Sequence, residues 1–144
     1  MENEPFSKTV SRSYPKSDDE IVVSATNLED KLILNIQING SMDTTFDIPI
    51  STSVKVRQTL GGGSQLINNN EDDAGIQPIV LIGEVNNIKL DIVATQIGKL
   101  MLTKQEPKNV ILTLGSKWFG KSDVHEEDDF DKLMFILESV KSVI

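Results

Sequence analysis

KLILNIQINGSMDTTFDIPI, residues 31 to 50, decides the fold. Leu32, Leu34, Ile36 and Ile38 alternate with Ile33, Asn35, Gln37 and Asn39. Period two places the first set on a core face and most of the second towards water. Phe46, Ile48 and Ile50 form the next alternating set. Between them lies NGSMD, where Asn39-Gly40 supplies residues that tolerate positive φ, so a hairpin turn slightly longer than the tightest kind is expected. Pro49 has no N–H and predicts an edge strand or a strand end.

Upstream, DEIVVSAT (19–26) reads as a strand with Ile21 and Val23 on one face, SKTVSRSY (7–14) as a short first strand, and residues 1–6 as a loose end. Downstream, VKVRQTL (54–60) is a weak strand, and GGGSQLINNNEDDAG (61–75) collects the glycine, asparagine and acid of a flexible surface loop. QPIVLIGE (77–84) is apolar on both parities, which predicts a strand covered on both faces.

NNIKLDIVATQIGKLMLTKQ (86–105) switches period: Leu90, Val93, Ile97, Leu100 and Met101 share one helical stripe. Asn86 or Asn87 can cap its start, and Pro107 lies beyond its end. KNVILTLG (108–115) returns to strand, and DDFDKLMFILESVKSVI (128–144) is a helix with an expected buried stripe of Phe130, Leu133, Met134, Leu137, Val140 and Ile144. Strands, helix, strand, helix is an α+β order with an antiparallel or mixed sheet. The 144 residues suit a single domain over 1–144.

The formal net charge of −8 argues against nucleic acid, whose affinity is mostly cation–phosphate attraction. With no cysteine, disulfides, thiolate metal sites and a cysteine nucleophile are excluded. The N-terminus MENEPFSKTV has neither a basic start nor an apolar core, and no apolar run approaches the ~20 residues that span a bilayer. A soluble protein without a membrane partner, cytoplasmic and with the nucleus as a second compartment, is the expectation.

GSKWFGKS (115–122) fits the phosphate-loop pattern G-x-x-x-x-G-K-[ST] and follows a strand, so a small nucleotide-binding enzyme using Gly115–Ser122 is an alternative reading. Such a loop must lead straight into a helix whose N–H groups face the phosphates. Here SDVHEEDD intervenes, carrying Asp123, Glu126, Glu127, Asp128 and Asp129, and Trp118-Phe119 fills the positions where backbone should wrap an anion. No later strand remains for a magnesium ligand. A strand end followed by a glycine-punctuated loop is the stronger reading.

His125, the only histidine, sits among these acids; they are better read as a helix cap than as a cation site. NNNEDDAG (68–75) lacks the glycine position and closing glutamate of a calcium loop, and GGGS (61–64) precedes no helix. No catalytic set, cofactor or metal is expected. What remains is surface shape. On a helical wheel Phe135 lies about 170° from the expected stripe, and Ile88, Ile92 and Leu102 lie opposite Leu90–Val93–Ile97. These four, with Trp118 and Phe119 in their loop, are the candidate partner contacts. Phe135→Glu is accordingly expected to weaken partner binding and spare the fold.

KLILNIQINGSMDTTFDI, PIVLIGEVNNIKLDIVATQIGKLM and PKNVILTLGSKWFGK followed by DFDKLMFILESVK together resemble the proteasome assembly chaperone 3 family in its fungal form, over roughly residues 20–50 and 76–141. The resemblance implies an antiparallel β-sheet sandwich with two helices and no enzymatic activity. It implies pairing with the related subunit proteasome assembly chaperone 4, with the pair binding an α-type proteasome subunit, chiefly α5, to order the α-ring of the 20S core particle. The family has no short functional motif, so no binding residue is carried over. A homodimeric adaptor in another pathway would use the same apolar surfaces.

Overall fold

In a computed structural model the described residues are 6–50 and 75–144. The weak strand expected at 54–60 and the loop expected from 61 lie outside them, apart from Gly75. Among the described residues six strands form one sheet: β1 (Ser7–Ser13), β2 (Glu20–Asn27), β3 (Lys31–Ile38), β4 (Thr44–Ile48), β5 (Ile79–Ile82) and β6 (Asn109–Leu114). Helix α1 (Ile88–Leu102) precedes β6 and helix α2 (Asp129–Lys141) follows it. The α+β class and the order of the described elements agree with the sequence. The sheet is mostly antiparallel, in the order β1-β2-β3-β6-β4-β5, and β3 and β6 run parallel.

The β3–β4 turn corrects a local expectation. Asn39 and Gly40 do turn the chain at positive φ, 53° and 80°. A bridge forms only between Ile38 and Ser41. Beyond it the strands separate and β6 enters between them, pairing Leu34 with Leu112 on one side and Phe46 with Leu112 on the other. The turn chemistry fixes the reversal; the burial of NVILTL, with Val110, Leu112 and Leu114 in the core, fixes the neighbour.

Period two holds along the central strands. Ile21, Val23, Leu34, Ile36, Phe46, Ile48, Val110, Leu112 and Leu114 are fully buried on one face. Against them α1 sets Leu90, Val93, Ala94, Ile97 and Met101, and α2 sets Ile136, Leu137 and Val140. Both helices therefore lie on the same side. Asn87 is the α1 cap, its Oδ1 accepting from the Leu90 N–H at 3.1 Å.

Two expectations about side-chain direction change. Strand β5 is at the sheet edge and is not covered on both faces: Ile79, Leu81 and Ile82 are 51%, 55% and 62% exposed. The α2 stripe is rotated. Phe130 (67% exposed) and Met134 face out, while Phe135, Ile136, Ser139 and Val143 are buried. The rotation is possible because buried Ser139 is satisfied, its Oγ donating to the Phe135 carbonyl at 2.9 Å and accepting from Arg12 Nη1 at 3.2 Å.

Candidate functional site

Segment 115–122 is built into the body of the protein. A Cβ on Gly115 would lie 2.6 Å from the Ser41 carbonyl oxygen, so this glycine lets the end of β6 pass beneath the β3–β4 turn. Gly120 has φ 80°, a conformation that favours glycine, and closes the 3-10 turn Lys117–Phe119. No helix begins at Ser122; the next one begins at Asp129. Both motif glycines thus have structural causes, and the phosphate-loop reading has no cradle here.

The loop is pinned by cations and rings. Lys132 Nζ donates to the Trp118 carbonyl at 2.6 Å, and Lys89 Nζ to the Phe119 carbonyl at 2.8 Å. Trp118 Nε1 donates to Asp19 Oδ2 at 2.9 Å. Tyr14 meets the Trp118 ring edge-on at 5.1 Å and the Phe135 ring at 5.2 Å, and Arg12 stacks 4.8 Å over Phe135. We expect Mg-ATP to leave Trp118 fluorescence unchanged, and Lys121→Ala to bind as little nucleotide as the parent chain. A saturable, Lys121-dependent quench would overturn this account of the loop.

Among the candidate contacts, Phe119 (4% exposed) and Phe135 (9%) are buried, and Trp118 and Leu102 are half-buried against the core. The outward placement inferred for Phe135 does not hold, and Phe135→Glu would put a carboxylate into the Tyr14–Arg12 cluster and damage the fold. A helical wheel centred on Phe130 and Met134 misplaces Phe135 because both of those residues face out. Ile88 (60%) and Ile92 (46%) are exposed. With Phe130 and Leu133 they line a groove of about 550 Å³ between the starts of α1 and α2.

The acids near His125 act mostly within the chain. Asp129 Oδ2 accepts from the Glu126 N–H at 2.9 Å, and Asp129 Oδ1 meets Lys89 at 3.2 Å. Burial raises the Asp129 pKa, but these bonds and the Lys89 charge outweigh it and hold the carboxyl below its usual range. Carboxylate oxygens of Glu126, Asp128 and Asp129 come within 4.8 Å of one another, a spacing that helix-start acids commonly reach without an ion. The calcium-like stretch 68–74 and GGGS lie outside the described residues.

Asp43 is a second clasp, accepting from the Ser116 N–H at 3.0 Å, Ser116 Oγ at 2.9 Å and Thr44 Oγ1 at 2.9 Å. Burial opposes its ionisation, and the Ser116 and Thr44 bonds overcome that and lower its pKa. Asp19 is lowered by bonds from Ser17 and Asn39. A carboxyl lowered on folding stabilises the fold above its unfolded value, about 3.9, and loses that contribution as pH falls through the folded value. The urea midpoint should therefore drop as pH falls from about 5 to about 2, with a shallower drop for Asp43→Asn. An equal slope in that variant would remove Asp43 from the linkage.

The sequence reading missed the outer face of the sheet as a surface. Register places Thr26, Ile33, Ile111, Asp47 and Ile79 along one cross-strand row, and Thr9, Ser24, Asn35, Thr113 and Thr45 along the next. Among described strand residues of this parity, only Glu20, Lys31 and Asp47 carry charge. The hydroxyls bond to each other, Thr9 with Ser24 at 3.2 Å and Thr45 with Thr113 at 3.1 Å. Neighbouring Ile33 and Ile111 stand half-exposed at the centre. The signal was present in the sequence as Ile33, Asn35 and Gln37, but only register joins it to Ile111 and Thr113.

No described helix is long and apolar enough to cross a membrane. Residues 1–141 match the family model of the 20S proteasome chaperone assembly proteins 3 and 4. Proteasome chaperone 3 of Saccharomyces cerevisiae is 22% identical, over 96% of this chain and 93% of its own length. A chain from the crystal structure of a chaperone complex for yeast 20S proteasome assembly superposes with a TM-score of 0.69 at 22% identity. That likeness covers 94% of this chain and 96% of the other, and it shows the fold. Matched along nearly its whole length, and with the expected α+β architecture, the chain belongs to the family of 20S proteasome chaperone assembly proteins 3 and 4.

Proposed function

We propose that this assembly chaperone works without catalysis as one half of a heterodimer, joined through the open face of its sheet to a chaperone 4-like chain. The sparsely charged outer face, with Ile33 and Ile111 at its centre and charge only at Glu20, Lys31 and Asp47 among its described strand residues, carries the reading. An outer sheet face left to water is normally polar, whereas two isoleucines stand side by side at the centre of this one. Interface cores are depleted of charge. Six strands spaced ~4.8 Å apart and about six residues long present ~600 Å². That approaches the ~800 Å² per partner of a stable interface. A second sheet laid on it would complete a β-sandwich, with helices outside.

The pair would hold an α-type subunit, α5 by family resemblance, and keep wrong neighbours off while the α-ring forms. The net charge of −8 favours a basic patch on that client and speeds encounter. The compartment proposed is the cytoplasm, with the nucleus as a second site. Tagged protein purified from its native cells at modest salt, with mass spectrometry of the bound chains, tests this. A second small chain with free α-type subunits, and no mature proteasome, is expected. Recovery of neither would overturn the reading.

A further inference from the structure

Two apolar ridges face each other on the helical side of the molecule. Ile88 and Ile92, four apart on α1, form one; Phe130 and Leu133, three apart on α2, form the other. Such spacings put both members of each pair on one helix face. The floor between them is Val93 and buried Phe119. Phe130 at 67% and Ile88 at 60% exposure are large side chains that gain nothing from the fold where they stand.

The rim is rich in acids, with Lys89 and His125 among them. Asp123 and Asp129 line it, and Glu126, Glu127 and Asp128 continue it along the loop. Among the described residues Asp123 and Glu127 make no ion pair. The lining cation Lys89 is spent internally: its side chain is 12% exposed, 3.2 Å from Asp129 and bonded to the Phe119 carbonyl. Asp129 is thus paired within the chain, and the groove offers an apolar trough beside acids such as Asp123 and Glu127 that have no ion pair among the described residues.

The walls also say how a ligand must be folded. Helix interiors have no spare backbone donors or acceptors, so an extended peptide would leave its own backbone unpaired there. A helix brings its hydrogen bonds with it and offers apolar side chains at i, i+4 and i+7. We propose that this groove binds an amphipathic helix of a partner protein, with large aliphatic anchors on one face and Lys or Arg along its flanks. The site lies on the layer opposite the open sheet face, so it stays accessible whether or not the sheet is paired, and the proposal does not depend on that pairing.

The test uses the full chain with isoleucine methyl groups labelled for NMR. The probes are a synthetic helical peptide with Leu at i, i+4 and i+7 and Lys at its flanking positions, and a twin with Glu for every Lys. The Lys peptide should shift the Ile88 and Ile92 methyls together, and raised salt should weaken it. The Glu twin should bind at least about tenfold more weakly, as should Phe130→Ser or Ile88→Ser. Both side chains are exposed, so circular dichroism should be unchanged in either variant. Absence of binding, equal affinity of the twin, or shifts centred on Ile33 and Ile111 would each overturn the proposal. So would concentration-dependent broadening of Ile88 and Ile92 without peptide, which would make the occupant a second copy of this chain.

Discussion

Phe46→Ala should destabilise the folded chain by about 3–5 kcal/mol, the range for a large aromatic truncated in a packed core. Phe46 is fully buried in β4, paired with Leu112 on β6 and with Val80 on β5. It sits where the last two strands attach to the rest of the sheet, so no flexible neighbour can refill the space. Native domains are stable by only about 5–15 kcal/mol, so the loss takes a large share of the total. The thermal midpoint should fall on the order of 10–15 °C. Ile82→Ala, on edge strand β5 and 62% exposed, should change it little. Equal losses at the two positions, read from urea titrations, would refute the placement of the core.

Ile111→Lys should leave the chain folded and weaken its pairing with the second chaperone chain on the order of 100-fold. The lysine would stand on the open face beside Asp47, its register partner on β4, so within the single chain it has a counter-charge and water. Its cost there is at most the ~1 kcal/mol spread of strand preferences. Against a second sheet it would have to shed that water at the centre of an apolar contact, where charge is costly. Calorimetry with the purified partner reads the affinity, and a urea melt of the variant alone reads the fold. Undiminished affinity would move the pairing surface elsewhere. Affinity lost together with the fold would mean that Ile111 is a structural residue, and Ile33→Lys would then decide.

The elements themselves were legible because their signals are local. Alternation at Leu32–Ile38 marks a strand whatever surrounds it. The Asn87 cap is set by a side chain reaching its own helix three residues on, and Asn39-Gly40 turns the chain because those residues accept positive φ. The order of elements, the core parity of the central strands and the weakness of the phosphate-loop pattern followed from such signals, and the family resemblance came from the same runs.

What the sequence could not decide depends on residues far apart along the chain. Strand β6 displaces β4 from β3 because burying NVILTL between two apolar strands outweighs a local hairpin, and no turn residue encodes that competition. Helix α2 turns Phe135 inward because Arg12 and Tyr14, more than a hundred positions away, supply a stacked cation, an aromatic edge and a bond for Ser139. A wheel drawn from α2 alone reads Ser139 as solvent-facing and so rotates the helix wrongly. Ile33 and Ile111 become one apolar patch, and Ile92 and Phe130 one groove, only when sheet and helices are assembled. Periodicity and short-range bonding, both written in the order of residues, set the elements and their apolar faces. The tertiary structure alone decided strand neighbours, helix rotation and the composition of each surface, since these are settled by competition among distant segments for burial.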